Sequence, residues 1–405
     1  MKYKQTPIGR IPKEWEVVRL EDVADYINGY AFSPRDWQEK GLPIIRIQNL
    51  NDPEAEFNYF DGEIDKKYIV EKGDLLFSWS ASIGVYIWNR GKAVLNQHIF
   101  KVVPKENVDK LYLYYALYLA IEQLKNRVHG STMKHFKRSE LKTTFLPLPP
   151  LPEQKKIAEI LSTIDKAIQK VNEAIAKTER LKKGLIQELL TKGIGHKEFK
   201  DMEIGRIPKE WKIVKLEDVA KVFDCKHRTP TYYSEGFPVL LPRNVQEGRI
   251  SLEDAPRTSY EEYLDLTEKY KPARGDIIYT RNAKVGVAGM VMANEEFALG
   301  QDLVGIRPLK KVESNYLLYV LNSSIIRRYL LKAQTGSTFK RINLSLIRKL
   351  KIPLPPLPEQ QKIAKILSTV DKKLELERKR KEKLERIKKG MMDLLLTGKV
   401  RVKGI

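Results

Sequence analysis

The sequence contains almost no cysteine: Cys225 is the only one among 405 residues. A disulfide framework and a zinc cluster held by thiolates are therefore excluded, and Cys225 itself is expected to be an inert small residue. No apolar run reaches the ~18 residues of a membrane span, and the N-terminal segment MKYKQTPIGRIPKEW has no apolar signal-peptide core. These absences favour a soluble protein of the reducing cytoplasm that makes no use of a membrane.

Recognisable catalytic motifs are also missing. There is no GxxxxGK[ST] phosphate loop, no glycine fingerprint of a dinucleotide or methyl-donor pocket, and no acidic-PPY loop of an amino-methyltransferase. The histidines do not form an HExxH pattern or an i, i+4 pair; they are His98, His129, His135, His196 and His227. We therefore expect a binding protein without catalytic, cofactor-binding or metal-binding residues.

Positive charge is what the chain has in excess. Lysine and arginine outnumber aspartate and glutamate by 74 − 52 = 22, which gives a pI near 9.6. A polyanion is the expected partner of such a chain, with nucleic acid ahead of a membrane surface. With 42% apolar and 9% aromatic residues, the chain can also bury a substantial core.

The chain repeats itself once. IGRIPKEWEVVRLEDVA at 8–24 recurs as IGRIPKEWKIVKLEDVA at 204–220, and LPLPPLPEQKKIAEILSTIDK at 146–166 recurs as IPLPPLPEQQKIAKILSTVDK at 352–372. Between these blocks the halves diverge, although landmarks such as LNQHIFKVVP (95–104) and LGQDLVGIRP (299–308) still align. One fold built twice, with a shared frame and different middles, is typical of two modules that recognise two different ligands.

A long helix is predicted after each PLPPLPEQ block. Pro152 and Pro358 suit the first turn of a helix, and apolar residues then recur at alternating intervals of three and four to about Thr191, over ~40 residues or ~60 Å. Neither helix can bury this stripe alone, so we expect the two to pair antiparallel as a coiled coil. The predicted seam consists of Ile157, Leu161, Ile164, Ile168, Val171, Ile175, Leu185 and Leu189 in the first helix, and of Ile363, Leu367, Val370, Leu374, Leu384, Met391 and Leu395 in the second.

The remaining segments mix short apolar runs and Gly, Pro and Asn turns with apolar helical stretches at 111–124 and 315–331. The predicted fold class is mixed α/β, with two similar globular domains separated by the helix pair. We expect a first globular domain at 1–150, a helix at 151–195, a second globular domain at 196–355 and a helix at 356–405.

These blocks carry a family resemblance. The doubled IGxIPxxW (8–15, 204–211), the doubled PLPPLPEQxxIAxILSTxD (147–165, 353–371) and the doubled KKG (182–184, 388–390) resemble the DNA-specificity subunit of type I restriction–modification enzymes. The resemblance implies two target-recognition domains, each reading half of a bipartite double-stranded DNA sequence, and helices that act as a ruler and as the docking surface for two modification subunits. S-adenosylmethionine for adenine N6-methylation would belong to those partners, and ATP and Mg²⁺ to restriction subunits; no cofactor is expected in this chain.

Two other functions remain open. A stand-alone DNA-binding regulator would bind DNA tightly without partner subunits. A divergent nuclease is less favoured, because Glu377-x-Lys379 mimics only part of a nuclease motif and has no Pro-Asp partner.

Candidate DNA contacts are cations for phosphates and guanidinium or amide groups for base edges. The first set surrounds the repeated GST-x-K turn: Arg127, His129, Ser131, Thr132, Lys134, His135, Lys137 and Arg138, against Thr335, Ser337, Thr338, Lys340 and Arg341. The second set is Arg46, Gln48 and Asn49 against Arg243 and Asn244, and the third is Ser78 and Ser80 against Arg281, Asn282 and Lys284. A basic turn, Lys226, His227 and Arg228, occurs only in the second half.

Each of these sets also has a simpler interpretation, as solvated loop residues or ordinary turn polars. Trp15 and Trp211 lie inside the shared blocks, so we expect them to pack in a core and not to stack on bases.

Overall fold

The computed structural model describes residues 2–127, 139–282, 285–292, 295–334 and 342–402. The chain divides into two compact units, the first made of 1–172 with 379–405 and the second of 173–378. Each unit therefore combines one globular part with portions of both long helices, and the predicted division into four segments stays a prediction. None of the helices in these described ranges is long and apolar enough to cross a membrane.

Two four-stranded sheets form most of the globular part of unit 1. One has the order β4-β11-β8-β9 and is antiparallel, whereas the other, β6-β5-β10-β7, contains a parallel pair, β5 with β10. The strands are β1 Tyr3–Thr6, β2 Gly9–Pro12, β3 Glu16–Arg19, β4 Ala24–Asn28, β5 Leu42–Ile45, β6 Asn58–Phe60, β7 Ile69–Val70, β8 Leu75–Ser78, β9 Gly84–Ile87, β10 Ala93–Leu95, β11 Ile99–Pro104 and β12 Phe145–Leu148. The helices are α1 Leu20–Val23, α2 Ile47–Asn51, α3 Lys110–Arg127, α4 Glu140–Thr143 and α5 Leu151–Thr191, the last of which continues into unit 2.

Unit 2 is built on the same plan as unit 1, but one of its two main sheets has more strands and the other has fewer. A six-stranded sheet has the order β16-β24-β21-β22-β19-β18, and a three-stranded sheet, β20-β17-β23, contains the parallel pair. The strands are β13 Phe199–Met202, β14 Gly205–Pro208, β15 Lys212–Lys215, β16 Ala220–Asp224, β17 Phe237–Leu240, β18 Val245–Gln246, β19 Gly248–Ile250, β20 Arg257–Thr258, β21 Ile277–Thr280, β22 Ala288–Met290, β23 Ala298–Leu299, β24 Leu303–Pro308 and β25 Lys351–Leu354. The helices are α6 Leu216–Val219, α7 Tyr260–Thr267, α8 Ser314–Leu321, α9 Ser324–Gln334, α10 Leu344–Arg348 and α11 Leu357–Leu396, the last of which continues into unit 1.

The two shared sequence blocks meet in the core of each unit. Trp15 is fully buried and its indole Nε1 donates to Glu153 Oε2 over 2.9 Å, while the equally buried Trp211 donates to Glu359 Oε2 over 3.1 Å. The start of each long helix is thereby fixed to the IGRIPKEW block, which explains why the two blocks recur together. The prediction that both tryptophans are core residues is confirmed.

The long helices run antiparallel where they meet inside each unit. In unit 1, Lys388 Nζ lies 2.6 Å from Asp165 Oδ1, and Arg401 reaches back to Glu153. In unit 2, the pair equivalent to Lys388 and Asp165 is Lys182 with Asp371, at 2.5 Å. Residue numbers rise in one helix as they fall in the other, so the predicted antiparallel pairing is confirmed.

The predicted seam residues are buried or half-buried throughout. At the helix ends, however, they also complete the globular cores. Ile157, Leu161 and Leu395 pack in one cluster with Trp15, and Ile363, Leu367 and Leu189 pack in another with Trp211. The helix ends are therefore anchored by the globular parts. That all the predicted seam residues form the interface between the two helices stays a prediction.

The apolar stretch 315–331 forms two helices instead of the single one expected. α8 ends at Leu321 and α9 begins at Ser324. Between them, the side-chain carboxamide of Asn322 donates to the Ala288 carbonyl and accepts from the Ala288 backbone N–H, both over 2.9 Å. Asn and Ser side chains compete with the helical hydrogen-bond pattern in this way. Apolar periodicity alone does not reveal such a break.

A buried tyrosine connects each globular part to its helix pair. Tyr319 Oη donates to Asp371 Oδ2 over 2.6 Å, and Tyr115 makes the same bond to Asp165. Burial, reinforced by the bonded carboxylate, raises the pKa of Tyr319, so its hydroxyl remains a donor at any ordinary pH. Because the acceptor is charged, we expect Tyr319→Phe to lower the free energy of unfolding by about 1.5–3 kcal/mol. Urea unfolding checks this against Tyr232→Phe at an exposed site; equal midpoints for the two variants would contradict it.

Candidate nucleic-acid interface

The parallel strand pair of unit 1 brings two polar segments to one edge of its sheet. β5 and β10 pair in parallel, Ile45 opposite Leu95, so the chain leaves both strands on the same side. Arg46, Ile47 and Gln48 follow β5, and Asn96, Gln97 and His98 follow β10. We call this place the first edge.

The first edge surrounds a cleft of about 230 Å³, which is lined by Arg46, Ile47, Gln48, Asn96, His98 and Ile99. The Arg46 guanidinium donates to Asn58 Oδ1 over 2.6 Å and lies 5.2 Å from the centre of the Trp37 ring, so its orientation is fixed. Gln48 and His98 are exposed, and the His98 ring packs edge-on against Trp79 at 5.2 Å. A guanidinium fork suits guanine, and a carboxamide suits adenine, so the cleft has the chemistry of a base-reading site.

Unit 2 has an equivalent place, which we call the second edge. β17 and β23 pair in parallel with Leu240 opposite Leu299. Arg243 follows one strand and is exposed. Gln301 follows the other strand and its amide donates to Thr229 Oγ1 over 3.0 Å. The two edges therefore occupy the same position in the fold and present different side chains.

Asn96, His98 and Gln301 are not among the DNA contacts predicted from the sequence. For Asn96 and His98 a signal was present, because they align with Gly300 and Asp302 and so combine equal position with unequal residues. Gln301 aligns with an identical residue, Gln97, and carries no such signal. The parallel pairing that brings these residues beside Arg46 and Arg243 joins strands about 50 residues apart in the first half and about 60 in the second, and it is visible only in the fold.

Five predicted contacts are buried and hold loops in place. Asn49 caps α2 by accepting from the Arg46 amide and donates to Ala55 and Glu56 carbonyls, while Asn244 accepts from the Leu241 amide. The guanidinium of Arg281 donates to Asp224 and to the Ile342 carbonyl. Less than a tenth of the surface of each is exposed, which favours a structural role over a base contact for all five: Asn49, Ser78, Ser80, Asn244 and Arg281.

The basic turn of unit 2 is neutralised by its own fold. Lys226 binds Asp265 and, over 2.8 Å, Glu268, while Arg228 binds Asp265 and, over 2.7 Å, Glu262. These three acids belong to α7 or follow it directly. Hydrogen bonds from Lys226 and Arg228 lower the pKa of Asp265, so the acid remains charged. The turn therefore presents less free positive charge than its sequence suggested.

Several other predicted contacts cannot be placed. The side chain of Arg127, at the end of α3, lies outside the described part of the chain, as do His129, Ser131, Thr132, Lys134, His135, Lys137, Arg138, Lys284, Thr335, Ser337, Thr338, Lys340 and Arg341. Asn282 is half-buried, and its amide donates to Asp302 Oδ2 over 3.3 Å.

Known proteins resemble this chain in sequence and in fold. A family model described as "Type I restriction modification DNA specificity domain" matches twice, at 12–180 and 208–386. The type I restriction enzyme MjaVIII specificity subunit of Methanocaldococcus jannaschii is 34% identical over 98% of this chain and 95% of its own length. The EcoBI specificity subunit of Escherichia coli is 25% identical over 88% of this chain and 79% of its own. The crystal structure of a type I S subunit from M. genitalium, 14% identical, superposes with a TM-score of 0.59 over 94% of this chain and 96% of that one.

Proposed function

The chain belongs to the family of DNA-specificity subunits of type I restriction–modification enzymes, and from this premise we propose that the first edge and the second edge each read one half of a bipartite DNA target. It is a non-catalytic member of such a system. The observation that carries the proposal is the pair of equivalent parallel-strand edges with different exposed polar groups. Equal scaffolds hold the readers in equal positions, and unequal side chains recognise unequal bases.

The division of labour between contacts follows from their chemistry. Arg46, Gln48, Asn96 and His98 would face base edges of the first half-site, and Arg243 and Gln301 those of the second. Phosphate contacts would come from basic residues of the repeated GST-x-K segments, such as Lys134 and Lys340, because a net charge of +22 favours binding to a polyanion. Such contacts position the duplex without reading it.

Single substitutions test which edge reads which half-site. We expect Gln48→Ala or His98→Ala to relax one position of the first half-site and Arg243→Ala one position of the second, each by about 1–3 kcal/mol of discrimination. Methylation-site mapping in cells that carry the intact complex gives the result directly. Lys92→Ala serves as control, because Lys92 is exposed and precedes β10, at the opposite end of that strand from Asn96.

A complementary experiment exchanges the whole segment 16–145 for that of a relative. Only one half of the methylated sequence should then change. A change in both halves after either experiment would contradict the modular proposal.

We further propose that the modification subunits dock on the long helices beside Gly184 and Gly390. Both glycines lie inside a helix and are exposed, and a Cβ added to either would meet no atom of this chain within 4 Å. Glycine costs a helix about 1 kcal/mol relative to alanine, so a reason outside the chain is needed. One turn earlier stand Leu181 and Ile387, which are 53% and 42% exposed.

This patch occurs twice at equivalent positions, since 181 and 387, like 184 and 390, differ by 206. Residues three apart in a helix share a face, so each patch combines an apolar contact with a place of close approach. Two such patches fit two copies of one partner subunit. The helices would then serve as both ruler and dock.

The remaining partners follow from the family. S-adenosylmethionine would be bound by the modification subunits, and ATP and Mg²⁺ by restriction subunits, all working on cytoplasmic DNA. A stand-alone regulator is the alternative; it would bind specific DNA with full affinity in the absence of any other subunit. Gel-shift titration with and without modification subunits separates the two functions.

A further inference from the structure

Three side chains of metal-binding type converge at the end of β16. Asp224 is the last residue of the strand, and Cys225 and His227 follow it; one ligand atom of each lies within 4.8 Å of the others. Among the residues that the structure describes, no other group of three meets this criterion. Cys225 Sγ lies 3.8 Å from His227 Nδ1, and His227 Nε2 lies 3.2 Å from Asp224 Oδ2.

These contacts fix the tautomer of the histidine. The other oxygen of Asp224 accepts from the guanidinium of Arg281 over 2.7 Å, and a carboxylate paired with a cation in this way acts as an acceptor for His227. In the neutral ring Nε2 therefore carries the proton, and the lone pair is on Nδ1, the nitrogen beside the sulfur. A carboxylate that orients a histidine through its second nitrogen is the usual support of a metal-bound imidazole.

The sulfur is held in place by the core. Cys225 is 8% exposed and packs in an apolar cluster with Leu240, Ile278 and Leu303. The fold therefore fixes the position of the sulfur beside His227 Nδ1.

We propose that Cys225 Sγ and His227 Nδ1 bind a zinc-class divalent cation, with Asp224 orienting the imidazole and water completing the coordination. Zinc–sulfur and zinc–nitrogen bonds of about 2.3 and 2.1 Å at a tetrahedral angle place the two ligand atoms about 3.6 Å apart, close to the separation found. His227 is 48% exposed, so the cation and its water molecules can reach the site.

The site has a structural consequence for its surroundings. Lys226 and Arg228 flank His227 and are bound by α7, so a cation would tie the whole turn 225–228 to the end of β16. Unit 1 lacks the ligands, because Asn28, Gly29 and Ala31 occupy the positions that correspond to Asp224, Cys225 and His227. One site per chain is therefore expected, and it would distinguish the second half from the first.

Cobalt titration of the full chain tests the proposal. Cys225 is the only cysteine, so a near-ultraviolet thiolate-to-cobalt absorption band can come from this site alone. With metal-free protein reduced by a phosphine, we expect the band to saturate at one Co²⁺ per chain and to disappear on addition of Zn²⁺. Cys225→Ser should abolish it, His227→Ala should weaken binding at least tenfold, and Asp224→Asn, which alters only the orienting group, by about 10- to 100-fold. Asp254→Asn, which changes an exposed carboxylate of the same unit, is the matched control and should leave cobalt binding unchanged.

A second measurement does not depend on spectroscopy. Zn²⁺ at saturating concentration should slow alkylation of Cys225 by iodoacetamide at least tenfold in the unsubstituted chain and much less in His227→Ala. The absence of a cobalt band, or alkylation rates that Zn²⁺ does not change, would overturn the proposal and leave the three side chains as a hydrogen-bonded turn. Neither readout involves DNA, so the proposed half-site recognition stands or falls separately.

Discussion

Leucine at both helix glycines, Gly184→Leu with Gly390→Leu, is expected to prevent assembly with the modification subunits while making the chain itself more stable. Leucine favours a helix over glycine by up to about 1 kcal/mol, and the space around each glycine is open within this chain. A partner that approaches the helix backbone closely would instead meet two bulky side chains. We expect binding to fall by at least 100-fold, measured by size-exclusion chromatography and by loss of methylation in cells.

The opposite signs of the two effects make the result specific. Glu179→Leu with Glu385→Leu is the matched control, because it adds the same residue at two exposed, equivalent positions five residues before each glycine, about 140° around the helix. This control should leave assembly unchanged. A Gly184→Leu, Gly390→Leu protein that assembles normally would place the docking surface elsewhere and leave the two glycines without an explanation.

Patterns that extend over many residues provided the most reliable predictions. The duplicated blocks fixed the number of globular parts, and the apolar period fixed the first long helix to its observed end at Thr191. Both features repeat a simple pattern over many residues, so chance contributes little to them. The antiparallel pairing followed from the same pattern, because an unpaired apolar stripe must be covered.

The candidate site was less predictable because polarity does not indicate exposure. Asn49 and Asn244 have the residue type of a base reader, but each caps the turn that presents a neighbouring arginine. Lys226 and Arg228 counted as free charge until α7 placed three acids beside them, more than 30 residues later in the chain. Strand pairing and burial decide these roles, and both depend on contacts between residues that are distant in sequence.

The same reasoning separates the two aspects of Cys225. A single cysteine excludes a disulfide framework within the chain, but the cysteine count does not describe what surrounds the thiol. The fold at the end of β16 places one ring nitrogen of His227 beside the sulfur and the other beside Asp224. A Cys-x-His spacing is too short a pattern to carry a metal prediction from sequence.

The largest change of specificity is expected from a change of length. Seven residues inserted after Lys177 in α5 and after Lys383 in α11 add two turns to each helix, or about 10 Å. The apolar stripe returns to within ~20° of its phase, so the helices should still pair. If the helices set the number of unread base pairs, the spacer of the methylated sequence should grow by up to about three base pairs, since DNA rises ~3.4 Å per pair. The half-sites should not change, because both edges are untouched.

Insertion of three residues at the same two places is the control that separates helix length from the phase of the apolar stripe. It lengthens each helix by only about 5 Å but rotates the stripe by roughly 60°. We therefore expect the helices to lose their pairing and the complex its assembly, and we do not expect a spacer that grows by a smaller amount. Duplex twist and bending can absorb part of the longer insertion, which is why three base pairs is an upper value. Methylation-site mapping distinguishes the outcomes. A seven-residue variant with full activity and an unchanged spacer would show that the long helices dock partners without measuring DNA.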